Sequence, residues 1–186
     1  RLNKVLANTL TCNSIYLRQI MQQYAAGKSD DLAYRLARRN AHNADAALST
    51  TLANMLMEPG HFRKEADVGF RFLVLSHTLL SYLSGLGAHR ETQLPADVRE
   101  HLIDGAGVKL ATSIDEIAQG LANKQPVAIQ SDEEEALANE LEQMPDEIDE
   151  GQRLVQTQLA LICRQLGPLR TLAAHLIKDT SEVGAG

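Results

Sequence analysis

Asp97, Glu100, His101 and Asp104 stand at spacings of three, one and three. On a helix these spacings set three carboxylates and one imidazole on roughly one face, the donor types that bind a divalent cation. Nothing completes the set. The six histidines hold no i, i+4 pair, there is no C-x-x-C, and no second helix repeats the cluster. Charged residues on an exposed helix face produce the same spacing, so no metal is expected. Nucleophilic and phosphate chemistry are equally unprovided for, with no G-x-S-x-G, no P-loop and no G-x-G-x-x-G. Cys12 and Cys163 fall among apolar helical positions and read as buried reduced thiols. The expectation is a chain with no catalytic residue and no cofactor, and not an enzyme.

The charged groups suggest contacts instead. Arg35, Arg38, Arg39 and His42 lie along one side of a helix and form the candidate interaction surface. They could meet anionic lipid headgroups, an anionic substrate, or the acidic stretch 131–150. They could equally be a solvated face with local pairs, such as Arg38 or Arg39 with Asp45. The stretch 131–150 has ten acidic residues and no basic one, without the D-x-D-x-D-G pattern of a calcium loop. Residues 1–101 carry twelve Lys/Arg against nine Asp/Glu, and residues 102–186 carry six against fifteen. The net charge of −6 argues against a nucleic-acid partner.

Helices must position these groups. The chain has 28 Leu and 24 Ala among 186 residues, 4% aromatics and no Trp, which favours helix over strand. A first helix over 2–26 carries the stripe Leu2, Leu6, Leu10, Asn13, Leu17, Ile20 and Tyr24. A second over 30–57 is expected to be capped by Ser29 and to bury Leu32, Leu36, Ala44, Ala47, Leu48, Thr51, Leu52 and Met55. The short connection at Gly27-Lys28 makes the two antiparallel. Asn13 then comes opposite Asn43, and Tyr16 near Asn40. Either a polar contact among Asn13, Asn40 and Asn43 sets the register, or these amides face solvent.

A third helix over 64–84 is apolar on several faces and is expected to be central, ending at Gly85 and Gly87. Its stretch Phe72 to Ala88 has 17 uncharged residues, short of the roughly 20 apolar residues of a spanning helix. A fourth covers 95–124, where Gly105 and Gly107 permit close approach or a bend. Ser131 and Glu134 match a capping box that starts a short acidic helix. A last helix runs from about 147 to 178, with a kink or break expected at Gly167-Pro168. The expected fold is all-α, an elongated antiparallel up-down bundle of five or six helices. It divides into a four-helix core over 1–126, an acidic linker and short helix over 127–150, a C-terminal helix over 151–178 packing back, and a frayed tail over 179–186.

Two stretches carry a family resemblance. They are Arg1-Leu2-Asn3-Lys4-Val5-Leu6-Ala7 and Ala37-Arg38-Arg39-Asn40-Ala41-His42-Asn43-Ala44-Asp45-Ala46-Ala47-Leu48, the latter leading to Asn54-Met55-Leu56-Met57-Glu58-Pro59. This pattern resembles the C-terminal part of YccS/YhfK-type inner-membrane proteins, of the fusaric-acid-resistance-like (FUSC) family read as aromatic-acid exporters. The resemblance covers residues 1 to about 178. It implies a cytoplasmic domain at the bacterial inner membrane that assembles or regulates an efflux transporter. Its partners would be the transmembrane part of the same polypeptide and further copies of itself. The opening on Arg1 rather than Met fits a piece of a longer protein, and Arg1 and Lys4 would then sit at the membrane boundary. The alternatives are a stand-alone helical interaction module and a helical enzyme or metal protein centred on Asp97, Glu100 and His101.

Overall fold

A computed structural model describes residues 2–26, 31–60 and 63–184. They form α1 (Leu2–Ala26), α2 (Leu32–Met57), α3 (Arg63–Ala88), α4 (Ala96–Arg99), a π-helical segment (Glu100–Gly107), α5 (Val108–Asn123), α6 (Asp132–Glu142) and α7 (Glu150–Gly184). No strand occurs among the described residues. The fold is an all-α antiparallel bundle, as the composition implies. None of the helices is long and apolar enough to cross a membrane among the described residues.

Four helices close the bundle. α1 packs on α5, α5 on α7, α7 on α3, and α3 on α1. The remaining two lie outside this ring. α2 packs on α1 and α3, and α6 packs on α7, with Arg170 linking it to α5 through Glu116. The expected four-helix core over 1–126 is therefore redrawn. α7 is a wall of the bundle, and α2 is a cover. The reason is visible in burial: Val155, Leu159, Ile162, Leu166, Leu169 and Ala173 of α7 are fully enclosed. The stripe expected for α1 is buried throughout.

Several contacts fix the direction of each helix. Leu2 and Leu52 both pack at Gly69, and Tyr24 reaches Leu86, so α1 and α3 run parallel with α2 antiparallel between them. Gly107 abuts Met21, Gly120 faces Ile177, and Gly85 faces Gln158. α5 and α7 therefore run down while α1 and α3 run up. One end of the bundle collects the start of α1 and the C-terminal parts of α2, α5 and α7.

Five local expectations change. Asp31, not Ser29, caps α2, its Oδ1 accepting from the Ala33 N–H at 2.9 Å. Ser29 and the Gly27-Lys28 connection lie outside the described residues. The buried face of α2 is Tyr34, Ala37, Ala41, Ala44, Leu48, Leu52 and Met55, while Leu32, Leu36 and Ala47 face outward. Asn13 is 1% exposed and its Oδ1 has no partner, whereas Asn40 and Asn43 are exposed. The register contact is not made, because α2 turns its alanines rather than its asparagines toward α1. α3 continues through both glycines to Ala88. α7 runs through Gly167-Pro168 without a break and on to Gly184, past the expected end at 178. Pro168 is exposed, so water can reach the carbonyl that loses its intrahelical donor.

The rod from Ala96 to Asn123 is continuous, with helical dihedrals at both junctions. Its π-helical turns contain Gly105 and Gly107. A Cβ at Gly107 would overlap the Met21 thioether, so the glycine lets α1 approach the widened helix closely. α5 ends on Lys124 at φ 54°, whose N–H reaches the Gly120 carbonyl. That conformation costs an L-residue about 1 kcal/mol and costs glycine almost nothing. Lys124→Gly is therefore expected to raise the unfolding free energy by about 1 kcal/mol, read from urea denaturation midpoints.

Candidate functional site

The bundle carries opposite charge on its two covering helices. α1 contains no acidic residue, and α2 contains one, Asp45. Asp45 turns to α3, where its Oδ2 lies 2.8 Å from His77 Nδ1. The outer face of α2 carries Arg35, Arg38, Arg39 and His42, all exposed. Leu32 and Leu36 stand beside them at 68% and 49% exposure. The sequence-predicted basic cluster is thus one surface, and it carries two leucines that the stripe reading had placed inside.

The N-terminal half of α2 is held by a tyrosine cluster. Tyr16 and Tyr34 are buried with ring centroids 6.0 Å apart. The Arg90 guanidinium lies 4.7 Å over the Tyr34 ring, a cation–π contact. Arg90 Nη1 donates to the Gly87 carbonyl at 2.9 Å, and the Tyr24 hydroxyl donates to the Leu86 carbonyl at 2.6 Å. These donors add to the turn N–H groups of His89 and Arg90, which reach the same two carbonyls at 3.3 and 3.2 Å. Burial pushes the Tyr16 hydroxyl up to about 12 and raises Tyr24 as well, so both remain donors at neutral pH. Tyr16 was expected near Asn40; it meets Tyr34 because Gly87 leaves space for both hydroxyls.

The acidic helix α6 is anchored from α7. Arg170 is 4% exposed. Its Nε donates to Glu134 Oε1 at 2.9 Å and its Nη2 to Glu134 Oε2 at 2.5 Å. It also reaches Glu116 at 3.3 Å and the Ala128 carbonyl at 3.4 Å. Arg164 pairs with Glu135 at 2.9 Å, with Asn139 at 3.1 Å and with Glu142. Hydrogen bonds to these carboxylates raise both guanidinium pKa values, and Arg164 holds Glu142 below the usual carboxylate range. So the acidic stretch finds its intramolecular cations on α7 and not on α2. Half of the expected capping box forms: Ser131 Oγ accepts from the Glu134 N–H at 3.3 Å. The Glu134 carboxylate goes to Arg170 instead of turning back to Ser131.

Between α6 and α7 lies an open groove of about 510 Å³, bordered by Glu134, Glu135, Cys163, Arg164 and Pro168. Its arginine is occupied by the groove's own carboxylates. Burial, reinforced by the negative charge of Glu134, pushes the Cys163 thiol up to about 12, which removes it as a nucleophile. The carboxylate–imidazole cluster Asp97, Glu100, His101 and Asp104 lines a second open hollow on the π-helical segment. His101 Nε2 lies 2.7 Å from Glu140 of α6. Among the described residues no three His, Cys, Asp or Glu side chains are arranged to hold a metal ion.

The sequence reading missed Arg164 and Arg170. Each sits among apolar positions of α7, and a cation inside a hydrophobic stripe is the available signal. It missed Arg90 because a helix end was expected at Gly85 and Gly87.

No family profile and no solved structure matches the chain. Three curated relatives do. An uncharacterized protein of Haemophilus influenzae is 39% identical over 137 residues, 70% of this chain and 19% of the relative. The inner membrane protein YccS of Escherichia coli is 42% identical over 103 residues, 55% of this chain and 14% of the relative. An uncharacterized protein, ORF2, of Neisseria gonorrhoeae is 33% identical over 87 residues, 46% of this chain and 21% of the relative. The YccS-type resemblance is borne out, and the chain spans about a fifth or less of the length of these relatives.

Two substitutions test the anchoring. Arg170→Ala leaves Glu134 buried without its cation and is expected to cost about 3–5 kcal/mol. Replacing both by apolar residues, Arg170→Met with Glu134→Leu, is expected to recover most of that loss in a denaturation cycle. At the other flank, a Cβ on Gly87 would stand 2.7 Å from the Tyr34 hydroxyl. Gly87→Ala is expected to cost about 1–3 kcal/mol and to change the near-UV tyrosine dichroism.

Proposed function

We propose that this chain is a cytoplasmic assembly or regulatory domain of an inner-membrane efflux transporter of the FUSC type. The transported compounds would be aromatic carboxylic acids or similar anions, and the domain is not itself catalytic. The observation that carries the reading is the 42% identity to the inner membrane protein YccS. The relative's length leaves ample sequence for membrane segments elsewhere in such a protein. The geometry supports a scaffold role in two ways. The core is filled by Leu, Ile, Ala and a few tyrosines around a closed ring of helices. The polar groups converge on one another, as Arg164 and Arg170 do on α6, and not on an enclosed cavity.

In this reading the partners are the transmembrane part of the same polypeptide and further copies of the protein. Anionic lipid headgroups are the alternative ligand of the α2 arginines.

The test is deletion of this region from the full-length parent protein. Assembly is read by blue-native electrophoresis and efflux with a panel of labelled aromatic carboxylic acids. Loss of the assembled species, or of regulated efflux, is expected while the membrane part still inserts. Unchanged assembly and unchanged efflux overturn the reading.

A further inference from the structure

We infer that the end of the bundle formed by the α2–α3 turn is a bilayer-contact surface. Leu56 and Met57 enter the headgroup region of an anionic membrane, and Lys4, Lys64, Lys124 and Lys178 meet its phosphates. The choice of a bilayer as the occupant rests on the membrane-protein reading above.

The apolar part is a tip. Met57 is 86% exposed and Leu56 53%, whereas Leu52 and Met55 of the same two turns are enclosed. Among the described residues no other large apolar side chain is as exposed as Met57. α2 ends on it, the Glu58 N–H reaching the Met55 carbonyl, and the chain turns through Pro59 to Gly60 at φ 66°. The height of the tip follows from packing. Leu2 and Leu52 both pack at Gly69, and Met57 lies five positions past Leu52. Met57 therefore stands about 7 Å beyond Leu2 along the axis, at 1.5 Å per residue.

The lysines gather at the same end. Lys64 lies five positions before Gly69 on α3, level with Met57, and Lys4 follows Leu2 by two positions. Lys124 caps α5 just past Gly120, which faces Ile177, and Lys178 follows Ile177 on α7. All four are exposed. Three carboxylates stand at this end too, Glu58, Glu65 and Asp67, so the apolar tip leads the contact and the lysines select an anionic surface. Exposed apolar side chains ringed by lysines are the composition of an interfacial membrane contact.

The opposite end is acidic. Gly151 of α7 meets Thr92 just past α3, and the α6–α7 turn there exposes Asp146, Glu147, Asp149 and Glu150. An anionic surface repels that end and orients the bundle with the α2–α3 turn toward it. Chain direction agrees. α1 starts and α7 finishes on the side of the tip. Whichever of them joins the membrane part of the polypeptide, it joins on this side. The α2 arginines are remote from it. Arg38 lies 19 positions before Met57, about 28 Å along the axis and well beyond a Debye length at physiological salt.

The experiment uses the 186-residue chain and lipid vesicles. The chain has a net charge of −6, so an anionic surface repels it as a whole and binding reports a local contact. Wild type is expected to sediment with phosphatidylglycerol vesicles and not with phosphatidylcholine vesicles. Binding should weaken about tenfold from roughly 0.05 M to 0.5 M salt. Lys64→Glu/Lys178→Glu and Leu56→Gln/Met57→Gln should each weaken it about tenfold or more. Lys109→Glu, the same charge change at mid-height on α5, should leave it nearly unchanged. These positions are exposed, and circular dichroism checks that each variant folds. The chain has no Trp, so single tryptophans report depth. Met57→Trp fluorescence should shift to the blue and be quenched by brominated lipid, and that of Glu147→Trp should do neither.

A wild type that stays free at about 5 mM anionic lipid in low salt overturns the inference. So does a loss in Lys109→Glu equal to that of the end variants, or quenching of Glu147→Trp without Met57→Trp. Binding lost in Arg38→Glu/Arg39→Glu and kept in both end variants overturns it in favour of lipid on α2. Self-association that needs Leu56 and Met57, without vesicle binding, overturns it in favour of a second copy. Vesicle contact is scored on the isolated chain, so its failure is distinct from unchanged assembly and efflux after deletion in the parent protein.

Discussion

One buried guanidinium decides where the acidic stretch of this chain goes. Arg170 lies within the apolar surface of α7 and binds Glu134, Glu116 and the Ala128 carbonyl together. These groups come from α6, from α5 and from the segment between them. A guanidinium this enclosed is tolerated only when its donors are met by carboxylates in good geometry. Its planar fork offers two parallel bonds to Glu134, which fixes the rotation of α6 as well as its distance. α6 is short and strongly charged, and isolated helices of this length are marginal. Without the clamp its buried residues are Leu137, Ala138 and Leu141, and its remaining charge pairs are the more exposed ones to Arg164 and His101. The clamp turns α6 inward on Glu134 and leaves Asp132 and Glu133 outside.

The other covering helix is held by a different device. α2 presents Ala37, Ala41 and Ala44 to the groove between α1 and α3, with Tyr34 at one end and Leu48, Leu52 and Met55 at the other. Small residues let the backbones approach closely, and close approach leaves no room for Leu32 or Leu36. These two leucines remain outside with the arginines. This explains why the buried face of α2 was misread. Hydrophobic periodicity weights leucine above alanine, and here the alanines carry the contact. Where large aliphatics line the seam, as in α1, every expected stripe residue is buried. Length, helix count and antiparallel order were therefore legible, because they follow from composition, stripe spacing and short connections.

The polar features were less legible for a physical reason. A capping box, a buried amide and a basic cluster are local patterns, and their partners are chosen by tertiary placement. Glu134 had a local option, the backbone of Ser131, and took the stronger charged one on α7. Asn13 was read as a register pin, yet its carbonyl oxygen sits buried without a donor. The π-helical turns left only an indirect trace in the sequence, the paired Gly105 and Gly107. Such turns widen the helix, and the widened stretch carries the glycine against which α1 packs.

Charge segregation along the chain thus becomes segregation in space. The basic N-terminal half supplies α1, α2 and α3, and the acidic C-terminal half supplies α5, α6 and α7. The ring order α1–α5–α7–α3 sets α2 and α6 on opposite edges. Exposed charges of this kind contribute at most about 1 kcal/mol per pair, so the segregation adds little to the stability of the fold. The walls are held instead by the enclosed aliphatics of α1, α3, α5 and α7, and α6 is placed by the enclosed Arg170 clamp.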